Sequence, residues 1–109
     1  MDAEGGTYAL TPTLWTITPS GGSPSTFSIT KLHTNNQFAV GQNGESNPEY
    51  PSLWSRFEWI PTQGGSVFLC HRVQDGSDSV STGGVSPADP SNPSVEGCRD
   101  QAWTALSPN

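Results

Sequence analysis

The chain has 109 residues, a formal charge of −6, an apolar fraction of 31% and only 13% charged residues, with glycine and proline filling much of the remainder. That length makes a single domain, burying about 65% of the surface its unfolded chain exposes. The acidic balance excludes the cationic face that nucleic acid or an anionic membrane surface needs, and the composition is that of short strands and many turns, not of a charged disordered tail.

No window repeats apolar residues at helical spacing without an interrupting Gly or Pro, so strands are read throughout. In Thr7-Tyr8-Ala9-Leu10-Thr11 the apolar residues fall at even positions, and Leu14 keeps that register; Trp15 and Ile17 take the opposite one. A one-residue slip reverses the apolar face. Pro12 therefore divides two strand pieces, or marks a bulge or an edge. Residues 1–12 form an N-terminal extension or first strand, and 13–109 a single β domain.

Thr26 to Thr30 and Gln37 to Gly41 alternate cleanly, and Thr34-Asn35-Asn36 between them reads as a hairpin turn, since Asn tolerates a left-handed backbone. From Leu53 to Ile60, Leu53, Ser55, Phe57 and Trp59 face one way while Trp54, Arg56, Glu58 and Ile60 face the other. Pro61 to Gly65 turns the chain into a partner strand from Val67 to Val73, giving a central hairpin. Gln74 to Gly97 is nearly devoid of large apolar residues and reads as a loop, and Ala102 to Leu106 as a last short strand. The expected fold is all-β: a small antiparallel sandwich or barrel of roughly six to eight strands with one disulfide.

The two cysteines, Cys70 and Cys98, lack the Cys-x-x-Cys spacing of zinc and redox sites. A disulfide tying down both ends of the long loop is expected, and with it an oxidising, extracellular or cell-surface location. Closing such a loop stabilises a fold by roughly 3–4 kcal/mol on the chain-entropy account. No stretch approaches the ~18 apolar residues of a membrane-spanning helix. Met1 to Gly6 is acidic and has no signal-peptide core, so the extracellular expectation requires a leader already removed.

Trp54-Ser55-Arg56-Phe57-Glu58-Trp59, followed by Val67-Phe68-Leu69-Cys70 and later by Gly97-Cys98 and Trp103-Thr104, resembles a group of small, uncharacterised secreted or lipoprotein-type bacterial domains. The resemblance spans about residues 26–106 and also takes in Phe27-Ser28-Ile29, Gln42-Asn43 and Asn47-Pro48-Glu49-Tyr50. Arg99-Asp100-Gln101 departs from it, where the group is Gly- and Phe-rich. It implies an extracytoplasmic β domain whose two cysteines pair, and it implies no activity.

Catalytic signals are weak. His33 and His71 are the two histidines, with no third partner at ligand spacing, and Ser55 lacks the Gly-x-Ser-x-Gly elbow. Glu58 with Asp100 is a chance-level carboxylate pair among ten acidic residues. Asp75-Gly76-Ser77-Asp78 with Asp89 lacks calcium-loop spacing and reads as turns. No enzyme, cofactor or metal site is expected. Trp54, Arg56 and Glu58 form a ladder read first as sheet covering and second as a grip for a sugar or peptide.

The leading expectation is a non-enzymatic structural module of a surface filament. Its N-terminal segment, with Tyr8 and Leu10, would self-associate by adding a strand to the next subunit. The alternative is an extracellular domain that binds a glycan or small apolar ligand, with Trp54, Arg56 and Trp59 as candidate contacts.

Overall fold

A computed structural model describes residues 2–107, Gln63 by its backbone alone. Seven strands run in sequence: β1 (Thr7–Leu10), β2 (Leu14–Thr18), β3 (Ser25–His33), β4 (Phe38–Asn43), β5 (Trp54–Pro61), β6 (Val67–Gly76) and β7 (Thr104–Leu106). Each pairs antiparallel with the next, giving one up-and-down sheet curled into a half-barrel. Register shifts within β3–β4 and β5–β6 mark bulges, which increase local twist and bend a sheet.

The register change at Pro12 is a hairpin. Leu10 pairs with Trp15 and Tyr8 with Ile17, and residues directly opposite share a face. The two apolar sets, out of phase along the chain, therefore line the same side of the sheet. The Thr11 backbone N–H donates to the Leu14 carbonyl at 3.0 Å, and the Leu14 N–H to Thr11 Oγ1 at 2.9 Å. Pro12 occupies the turn, where its missing N–H costs no ladder bond. The β3–β4 turn falls as expected, but its left-handed residue is Gln37, with φ of 58°, and neither Asn35 nor Asn36 has positive φ.

The concave face holds the main core. Trp15, Phe27, Ala39, Phe57, Leu69 and Leu106 are buried there, with Tyr8, Ile17, Ile29, Trp59 and Val67 packed around them. The Phe57 ring lies 4.9 Å from Trp15 and 5.0 Å from Phe27, edge-on to the latter. Each large side chain buried in this way contributes about 1.5–3 kcal/mol before entropy.

A second cluster lies on the convex face, where Cys70, Ala88, Cys98 and Trp103 pack with Ile60 and Phe68. The Cys70–Cys98 disulfide joins β6 to the returning chain across 28 residues of sequence, with Cα atoms 5.5 Å apart.

The segment after β6 is more ordered than a loop. β6 itself runs on to Gly76, and α1 (Ser79–Gly83) follows, a single turn packed on β4, β5 and β6. Asp78 caps it, accepting from the Ser81 N–H at 2.8 Å. An apolar periodicity cannot announce a helix this short, and the cap is its only local signal. The last strand is shorter than the sequence implies, because Trp103 turns inward and its indole N–H donates to the Asp89 carbonyl at 3.1 Å. No helix among the described residues is long and apolar enough to cross a membrane.

Candidate functional site

The curl leaves two open ends. At the end formed by the β1–β2, β3–β4 and β5–β6 turns lies a cavity of about 360 Å³ walled by Leu10, Pro12, Trp15, Leu32, Trp59, Val67 and Leu69, with Thr11 at its rim. Leu10 and Leu32 remain 42% and 39% exposed, although both belong to an apolar wall. The Trp59 ring is half-buried, 6.1 Å from that of Trp15.

Of the residues singled out from the sequence, Leu10 and Trp59 meet at this mouth. Tyr8 packs against the same core, and its hydroxyl donates to Asp2 Oδ2 at 3.2 Å. Burial, aided by the Asp2 charge and hydrogen bond, pushes the Tyr8 phenol up to about 12. Trp54 and Arg56 do not join them. Arg56 is on the convex face, 4% exposed, with Nε donating to Glu58 at 2.9 Å and Nη1 to the Gly83 carbonyl at 2.9 Å. Its guanidinium stacks on Phe38, 4.0 Å from the ring centroid, instead of on a tryptophan. Glu58 accepts from the Ala88 N–H at 2.9 Å, so this pair clamps α1 and the segment after it onto the sheet. Trp15 and Trp103 are buried and Trp54 and Trp59 half-buried, so no tryptophan offers a fully exposed ring.

At the opposite end a second cavity, of about 370 Å³, is lined by Phe27, Asn43, Tyr50, His71 and Gln74 among others. A hydrogen-bond chain runs into its wall. Asn43 Nδ2 donates to the Tyr50 and Gln74 carbonyls at 2.8 and 2.9 Å, which fixes the amide so that Oδ1 faces Ser55. Ser55 Oγ donates to that oxygen at 2.5 Å and must therefore accept from His71 Nε2–H at 2.8 Å. The geometry assigns His71 as the neutral Nε2–H tautomer, sandwiched between Phe57 (4.2 Å, stacked) and the edge-on Phe27 (5.5 Å).

Burial first, and then the Arg99 charge, lower the His71 pKa to about 3. The Ser55 proton is committed to Asn43 and the residue is fully buried, an arrangement that positions neither group for attack on a substrate. Strand alternation put Ser55 on the face of Phe57 and Trp59 and read His71 only as a strand residue, and the link through Asn43 joins three strands and has no local sequence signal.

His33 stands apart, stacked on Phe38 at 4.4 Å. Among the described residues no three His, Cys, Asp or Glu side chains gather as metal ligands. The fold and its open ends define a disulfide-bonded, seven-stranded half-barrel with an apolar mouth. No protein-family model matches the chain, and no curated protein or solved structure matches it.

Proposed function

We propose that this chain is a non-enzymatic binding domain that takes a small apolar molecule into the mouth of its half-barrel. The supporting observation is convergence: Leu10, Pro12, Trp15, Leu32, Trp59 and Val67, from five strands and a turn, surround one open cavity. Concave, mostly apolar and pre-formed sites are the common form of small-molecule pockets. The disulfide supports an oxidising, extracytoplasmic setting, in keeping with the resemblance to small secreted bacterial domains.

The test is a titration of intrinsic tryptophan fluorescence with toluene, indole and 1-octanol. Trp59 and Trp15 line the mouth, so a saturable blue shift is expected, weakened about tenfold or more in Leu10→Asp, which places a charge in the wall. Absence of a shift with all three probes, or an undiminished shift in the variant, would overturn the reading.

A second reading, a surface module that assembles by strand addition, draws on a separate observation. The outer edges of β1 and β7 pair with no other described strand. In an up-and-down sheet of seven strands the first and last run parallel, so an incoming strand antiparallel to one edge is antiparallel to the other as well. Molar mass as a function of concentration tests it.

A further inference from the structure

The end of the barrel opposite the apolar mouth concentrates positive charge in a protein that has little of it. The chain carries four cations against ten carboxylates. Arg56 is consumed by Glu58 and the Gly83 carbonyl. Arg72 and Arg99, from β6 and the turn after Cys98, line one cavity of about 290 Å³ together with Tyr50, Val73, Gln74 and Asp75. Among the described residues Arg56–Glu58 is the one ion pair, so Asp75 shares the wall without closing on either guanidinium. Arg72 donates from Nε to the Ser86 carbonyl at 3.2 Å, and Arg99 donates no side-chain hydrogen bond to another described residue. Two guanidinium groups with free donors on one small concavity are unusual in a domain of this charge, and planar, forked donors match a carboxylate.

The backbone holds both sides of this cavity in an uncommon conformation. Tyr50 and Arg99, with φ of 48° and 56°, are two of four non-glycine residues in the left-handed region among the described residues. Such residues persist where the surroundings over-determine them.

The larger cavity at the same end shares Tyr50 and Gln74 with this one and is lined also by Phe27, His71, Ile17 and Pro19. The Asn43 and Asn47 amides on that wall are already bonded within the protein, to the Tyr50 and Gln74 carbonyls and to the Thr26 backbone. Glu49 at its rim disfavours a second negative charge there. A charged head beside the arginines and an uncharged aromatic body beyond Tyr50 fit both halves.

We propose that this end of the barrel binds a small aromatic carboxylic acid, its carboxylate held by Arg72 and Arg99 and its ring lying against Tyr50, Phe27 and His71.

Isothermal titration calorimetry of the full chain with phenylacetate, 2-phenylethanol, acetate and sulfate tests this. Saturable one-to-one binding of phenylacetate is expected, with the uncharged alcohol and the ringless acetate each weaker by about tenfold or more. Arg99→Asn, which keeps a residue tolerant of positive φ, should weaken phenylacetate by a similar factor without moving the thermal midpoint. Arg72→Gln should do the same; if it perturbs folding through loss of the Ser86 contact, the Arg99 variant decides. No binding of phenylacetate, equal binding of acetate or sulfate, or full affinity in Arg99→Asn would each overturn the proposal. Leu10→Asp acts at the other end and should leave phenylacetate binding intact, so this outcome is separable from that of the apolar mouth.

Discussion

At the scale of single residues, His71 has the largest consequence. Its folded-state pKa of about 3 lies far below the ordinary 6.5, with burial the main cause and the Arg99 charge the second. Between those values the unfolded chain binds a proton that the folded chain refuses. The contribution is complete above pH 6.5 and is lost as pH falls toward 3, at about 1.4 kcal/mol per pH unit. The lowered carboxyls of Asp78 and Asp89 also lose stability on acidification, but only below their unfolded value of 3.8, so the window above pH 5 isolates the histidine. In His71→Gln, whose amide can still donate to Ser55 Oγ, the slope of stability against pH between 6.5 and 5 should disappear. Urea denaturation at several pH values measures it, and an unchanged slope would locate the titration elsewhere. From the sequence His71 was legible as a strand residue beside Cys70. Its burial between two phenylalanines was not, because that depends on the pairing of Phe57 with His71 across β5 and β6.

At the scale of elements, the segment from Ser77 to Gly97 shows how polar sequence is held on a sheet. The Arg56–Glu58 pair caps a carbonyl at Gly83 and an N–H at Ala88, Trp103 reaches Asp89, and the disulfide closes the far end. Gly97 is required beside Cys98: its φ is 105°, and a Cβ there would collide with the Asp89 carbonyl oxygen. With the bridged positions 28 apart in sequence, the Cys70→Ser, Cys98→Ser double variant should lose about 3–4 kcal/mol, read as a lower urea midpoint. A loss below about 1 kcal/mol would mean that the polar clamp alone holds the segment. The sequence already separated the two faces of β5, since alternation puts Phe57 and Trp59 opposite Arg56 and Glu58. It did not reveal α1 or the clamp, whose partners lie 27 and 30 residues from Arg56 and Glu58.

At the scale of the whole molecule, the two edges of the seven-stranded half-barrel, β1 and β7, run parallel and pair with no other described strand. The turn from Asp2 to Gly6 is folded on itself, with the Gly6 N–H donating to Asp2 Oδ1 at 2.8 Å, and Asp2 to Glu4 line cavities shared with Thr104 and Ala105 of β7. If strand addition operates, molar mass by light scattering should rise with concentration. Ala9→Lys, an exposed charge on the β1 edge, should return the chain to a single-copy mass. A constant single-copy mass at every concentration would remove that reading and leave the two proposed ligand sites as the readings to test.

The sequence by itself determined the strands, their alternating faces and the pairing of its two cysteines, because period-two patterning and redox chemistry are local or compositional properties. Only the tertiary structure decided that the sheet stays an open half-barrel, that β1 folds back on β2, and that Leu10 and Trp59 share a cavity while Trp54 and Arg56 do not. The reason is physical: register and closure are set by contacts between strands distant in sequence, and a strand's own pattern records which face is apolar but not which neighbour that face will meet.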